Sequence, residues 1–64
     1  MCQAIVYLAR DGLEEELMRD VILLESTEEG LRLSTFFEPP QTVRARVQRI
    51  DFLKHTVTLV AEEE

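Results

Sequence analysis

The sequence predicts an all-β fold: a small antiparallel curved sheet or barrel of about six short strands. Three observations carry this reading. Short, partly β-branched apolar runs are separated by turn residues roughly every six to twelve positions. Apolar and polar residues alternate along Leu31–Phe37, Val43–Val47 and Thr56–Val60, the two-residue period of a strand with one buried face. The alternation slips by one residue near Gln48-Arg49, as a β-bulge requires, and a bulge bends the strand that carries it.

Taken in order, Gln3–Ala9 contains Ile5, Val6, Tyr7 and Leu8 and reads as a strand buried on both faces. Asp11-Gly12 follows, the pair suited to a type I′ hairpin because both central residues take positive φ. Leu13–Arg19 fits two patterns: Leu13 and Leu17 lie one helical turn apart, but the hairpin needs a second strand, which favours strand. Val21-Ile22-Leu23-Leu24 reads as a further buried strand. Thr27-Glu28-Glu29-Gly30 is a turn, with Gly30 free to take positive φ.

Leu31, Leu33 and Phe37 then point one way and Arg32 and Ser34 the other. Pro39-Pro40 ends that strand, since proline donates no ladder hydrogen bond. In Gln41–Phe52, Val43, Ala45 and Val47 face inward, and the bulge returns Ile50 and Phe52 to the core. Leu53-Lys54-His55 makes a turn. Val57 and Leu59 of the last strand face inward and Thr56 and Thr58 outward, before the solvated tail Ala61–Glu64.

The 64 residues form one domain, residues 1–64, without internal repeat or linker. A domain this small is marginally stable alone and commonly leans on disulfides, a metal or a second chain. One cysteine excludes an internal disulfide, which leaves a metal or a homodimer. A net charge of −6 opposes nucleic-acid binding, which relies on basic groups to neutralise phosphate. No apolar run approaches the roughly 20 residues that cross a bilayer, and the N-terminus lacks a signal-peptide pattern. The expected location is cytoplasmic, where a lone thiol stays reduced.

Cys2 is the candidate chemical group. As structure, it is a small apolar residue at the start of a strand. As chemistry, it stands beside two nitrogen donors. With Met1 retained, the Met1 amine, the Cys2 amide and the Cys2 thiolate close five-membered chelate rings suited to square-planar Ni(II) or Cu(II). With Met1 removed, the Cys2 amine and thiolate remain. One chain then supplies too few strong ligands, and two chains about a twofold axis supply two thiolates and two nitrogens.

The remaining candidates read as surface or core. His55, the one histidine, sits between Lys54 and Thr56 in a turn and reads as an exposed loop residue. Glu14–Glu16 and Glu62–Glu64 read as solvated charge. Arg44, Arg46 and Arg49 form the basic cluster and suit cross-strand pairs with glutamates. Tyr7, Phe36, Phe37 and Phe52 are core or interface residues, with Phe36 facing out as an interface anchor. No nucleophile–base pairing, phosphate loop or cofactor motif is present, so the chain is not expected to be an enzyme.

Several segments occur in a familiar order: Met1-Cys2 directly before a strand, the Asp11-Gly12 turn, LMRDVILLE at 17–25, LRLSTFFE at 31–38, VRARVQRIDF at 43–52 and HTVTLV at 55–60. In this order and length the chain resembles the small nickel-binding accessory proteins of the CooT type, which serve carbon monoxide dehydrogenase. The resemblance implies a homodimer that binds Ni(II) through Cys2 and works with a nickel enzyme or another maturation protein. That family also carries an RNA-binding label, which the acidic balance opposes. A second resemblance, to hydrogenase maturation chaperones of the HypC type, lacks their glycine- and proline-rich sequence after the cysteine. The alternative from another class is a small β-barrel that binds protein or RNA and has no metal role.

Overall fold

The computed structural model describes residues 3–62. Six strands form one sheet: β1 (Ala4–Arg10), β2 (Leu13–Thr27), β3 (Gly30–Thr35), β4 (Gln41–Val43), β5 (Ala45–Asp51) and β6 (Thr56–Ala61). No helix occurs among the described residues. The spatial order is β4-β3-β2-β1-β6-β5. The all-β expectation holds, and the strand count with it.

The order has a geometric consequence. β4 and β5 lie at opposite edges of the sheet, yet only Arg44 separates them in the chain. The edges must therefore meet, and the sheet curls into a half-barrel in which β3 and β5 touch. Glu62 N donates to the Arg44 carbonyl at 3.1 Å, tying this corner to the end of β6. Inside the curl lie Val6, Met18, Val21, Leu31, Leu33, Ala45, Val57 and Leu59.

The Asp11-Gly12 hairpin is present, with φ of 54° and 82° at its two central residues and Arg10 opposite Leu13. Residues 13–19 are strand, but not a separate one. They continue through Asp20 into one 15-residue strand. Its first half pairs with β1 and its second with β3. The change of partner comes at Val21, which lies opposite both Ala4 and Thr35. Asp20, at φ 60°, takes up the bend in a left-handed conformation that aspartate tolerates better than most residues.

The sheet is not wholly antiparallel. β1 and β6 run parallel, from Ile5 opposite Thr56 to Ala9 opposite Val60. A parallel pair needs a long connection, and β2–β5 supply it. The β5–β6 hairpin fixes the direction in which β6 returns.

The expected bulge appears as a register shift between Val47 and Arg49. Its expected effect on burial does not. Val47 is 39%, Ile50 48% and Phe52 81% exposed, because β5 is an edge strand and Phe52 already belongs to the following turn. Ile22 and Leu23 are also exposed rather than buried, lying past the point where β1 leaves β2. Phe37 does not join Leu31 and Leu33. The alternation stops at Thr35, whose hydroxyl accepts from Phe37 N at 3.2 Å and Glu38 N at 3.1 Å and turns the chain outward. Phe36 is exposed, as expected, and meets Phe37 edge to face at 6.3 Å.

Thr58 departs from its expected outward position and is 2% exposed. It lies between Tyr7 on β1 and Arg49 on β5. These long neighbours cover the short side chain, and Arg49 Nη2 donates to its hydroxyl at 3.4 Å.

Two glycines separate conformational cost from steric cost. Gly12 (φ 82°) has open space where a Cβ would stand. Gly30 (φ 135°) is backed against the Val43 carbonyl, so a Cβ there collides with main chain at the β3–β4 corner. Gly12→Ala should cost about 1 kcal/mol from positive φ alone. Gly30→Ala should cost at least about 2 kcal/mol, read as a lower urea midpoint at unchanged slope. Asp51 offers a third test. Its Oδ1 accepts from Leu53 N and Lys54 N, both at 3.0 Å, and so closes the β5–β6 turn. Asp51→Ala should cost about 1 kcal/mol and speed amide exchange at Leu53 and Lys54.

Candidate functional site

The ladders bring several separate segments to the end of the molecule where β1 begins. Ala4 pairs with Val21 of β2, and Val21 pairs with Thr35 at the end of β3. On the other side Ile5 pairs with Thr56, which pairs with Asp51 at the end of β5. The β5–β6 turn, Phe52–His55, therefore projects from the same end. Ile5 N donates to the His55 carbonyl at 3.0 Å, fixing the turn against the first residues of β1.

Between them is an apolar groove of about 180 Å³ lined by Gln3, Ala4, Ile50, Phe52, His55 and Val57, among others. Val57 is buried, while Phe52 and the adjacent Leu53 stand clear, 81% and 90% exposed. His55 is exposed in its turn, as expected, at φ 59°.

Cys2, the candidate ligand, lies outside the described residues. Gln3, next to it, lines the groove. Among the described residues no three His, Asp or Glu side chains gather into a metal site, so Glu14–Glu16 do not form a cage for a hard cation. Glu16 instead takes two hydrogen bonds from Arg19, both at 2.7 Å. These hold its carboxyl below the usual glutamate range and raise the Arg19 pKa. The pair lies on the solvent-exposed surface and contributes little to stability.

Of the basic cluster, Arg49 reaches Glu14 at 3.5 Å, a glutamate partner as expected but one on β2, with β1 and β6 between them. A pair between directly opposed residues of neighbouring strands, Arg32 with Glu25 at 2.6 Å, joins β3 to β2. Arg44 and Arg46 lie at the opposite end of β5 from Phe52. Arginines and exposed aromatics are thus not interleaved as a single-stranded RNA platform needs.

No local pattern signals that His55, Phe52 and Leu53 stand beside the start of β1. That neighbourhood depends on the parallel β1–β6 register, a pairing between chain ends that no local pattern encodes. No helix among the described residues is long and apolar enough to cross a membrane.

Comparison with known proteins gives the chain its relatives. The family model described as CO dehydrogenase accessory protein CooT matches residues 1–60. Among solved structures, the chain is similar to a protein from Carboxydothermus hydrogenoformans assigned as a CooT, at 29% identity and a TM-score of 0.88. The match covers 97% of this chain and 100% of that one. No match was found among curated proteins. The extent of the family match, together with a shared fold along nearly the whole length, shows that this chain belongs to the CooT family of CO dehydrogenase accessory proteins.

Proposed function

We propose that this chain binds Ni(II) through Cys2 at the interface of a homodimer, and that it carries the ion as cargo to carbon monoxide dehydrogenase or a related nickel enzyme. The observation that supports this reading most directly is the family match, which starts at residue 1 and so includes Cys2.

Ligand chemistry supports it further. A thiolate and a deprotonated amide nitrogen are strong donors, and their five-membered rings favour a square plane. One chain leaves that plane incomplete, and a twofold axis completes it with a second thiolate and a second nitrogen. The apolar surroundings of Gln3 suit such a site, because water held away from a metal–thiolate plane competes less with its ligands. A site built by two identical chains also opens when they separate, which is a route for releasing cargo. The protein is read as a carrier without catalytic activity of its own and as a cytoplasmic component of enzyme maturation.

The test is nickel titration. One Ni(II) should bind per two chains, with thiolate-to-nickel charge-transfer absorption in the near ultraviolet. Cys2→Ser should abolish both, and His55→Ala should leave the absorption in place. Affinity should rise with pH, since the free thiol titrates near pH ~8.5 and the metal binds its deprotonated form. Unchanged stoichiometry and affinity in Cys2→Ser would overturn the proposal.

A further inference from the structure

Of the two edges of the sheet, one is blunted and the other is open. β4 has three residues and follows Pro39-Pro40, a short edge behind residues that donate no ladder hydrogen bond. β5 has seven residues, pairs only with β6 and holds neither proline nor lysine. Among the described residues, the backbone bonds outside the ladders lie at the Arg44 corner and the His55 turn, and neither covers β5. Every residue from Arg46 to Ile50 is exposed. The bulge between Val47 and Arg49 bends this edge without covering it.

The edge has two unlike faces. Val47 lies opposite Leu59 and so faces inward, where it is still 39% exposed. Beside it opens a cleft of about 510 Å³ whose lining includes Leu24, Leu31 and Ala45. Arg46 and Arg49 lie opposite Val60 and Thr58, and the bulge puts both on the outer face although they are three positions apart. With Arg44 they gather three of the seven basic residues into one stretch, with no acidic residue between them. In a chain of net charge −6 this stretch is the basic exception. Arg49 divides its guanidinium between Thr58 at 3.4 Å and Glu14 at 3.5 Å. Arg46 is exposed beside it.

An added strand would meet these faces by the ordinary rules of pairing, in which residues directly opposite share a face. Acidic side chains suit the places opposite Arg46 and Arg49. Apolar ones suit the inner side, over Val47 and the cleft. Glu28 and Glu29 belong to the same cleft lining and disfavour acidic side chains on that side. A second copy of β5 fits poorly. Paired antiparallel about its middle, it sets Arg46 against Arg49, and like charges directly opposite destabilise a sheet.

We propose that the free edge of β5 takes an extended segment of a partner protein by strand addition, and that this segment alternates acidic with apolar residues. Main-chain hydrogen bonds to β5 hold the segment, and the alternation of its side chains selects it. Its acidic groups lie on the outer face with Arg46 and Arg49, and its apolar groups lie over Val47 and Leu24. The inference is independent of the nickel site proposed above, since Arg46 lies at the end of β5 away from the start of β1.

The probe is a fluorescent synthetic peptide alternating glutamate and valine, as long as β5, titrated against the full chain by anisotropy. It should bind, and more weakly as salt rises. A peptide with lysine in place of glutamate should bind at least about 10-fold more weakly. Methylating alternate backbone amides of the glutamate peptide should abolish binding in one phase and spare it in the other, because a strand turns every second amide toward a given neighbour. Arg46→Glu should weaken binding on the order of 10-fold. Arg19→Glu, the same change of charge on β2 with β1 and β6 between, should leave the affinity near the wild-type value. On wild type the peptide should slow amide exchange in β5 and not in β4. Where Arg46→Glu loses its fold by circular dichroism, Arg46→Gln replaces it, and the exchange map of wild type decides by itself. No binding at millimolar peptide, equal binding of the lysine peptide, equal losses in Arg19→Glu and Arg46→Glu, or slowed exchange confined to strands other than β5 would overturn the proposal. Exchange in β5 that slows with protein concentration alone would assign the edge to a second copy and overturn it as well.

Discussion

The structure depends on a single short link. β4 and β5 occupy opposite edges of a six-stranded sheet, and Arg44 alone joins them. One residue spans less than 4 Å of extended chain, whereas a flat sheet of six strands separates its edges by more than 20 Å at the usual strand spacing. Flatness is therefore impossible, and curling follows from connectivity before any side chain is considered. The same corner explains Gly30. Where β3 meets the β4–β5 link, the Val43 carbonyl occupies the place of a Cβ, so only glycine lets the edges approach.

Curling in turn decides what the long β2 strand does. A straight 15-residue strand would overrun both neighbours. Bent at Asp20, it gives its first half to β1 and its second to β3. Val21 sits at the crossing, buried opposite Ala4 and Thr35. The core is the small volume enclosed by this bend, too small to take every apolar residue in the chain. Those left over, Leu13 and Val47 apart, fall where strands end and turns begin, at the end beside the start of β1. An exposed apolar end is thus a by-product of closing a half-barrel with so few residues.

Much of this was legible in the sequence where the signal is local. Asp11-Gly12 encodes its turn because few other pairs accept positive φ twice in succession. The slip between Val47 and Arg49 was visible because a change of parity has few causes other than a bulge. What was not legible depends on contacts between distant segments. Alternation says that Ile50 and Phe52 share a side, but not that the side lacks a neighbouring strand. Thr58 looked solvated because its type is polar, and only its position between Tyr7 and Arg49 covers it. Phe37 followed the parity of Leu33 in the sequence, and the Thr35 hydroxyl ended that parity with two hydrogen bonds. Each miss assigned burial from a pattern along one strand, where burial is set across strands.

The candidate site divides along the same line. Cys2 became the candidate from its type, its place beside two nitrogen donors, and a family pattern spread along the chain. The groove that Gln3 lines was not legible, because the parallel β1–β6 register joins residues some fifty positions apart. That register sets the His55 turn against the beginning of β1, through the bond from Ile5 N to the His55 carbonyl. β1 is thus held from both sides, by β2 and by the β5–β6 turn. The strand that follows the candidate ligand is fixed at its first residues, as the ligand pair proposed above would need. Two mobile termini would pay an ordering cost on binding that anchored strands reduce. In this fold the rigidity comes from the curl that the Arg44 link imposes, so the geometry of one end of the barrel is set by the closure of the other.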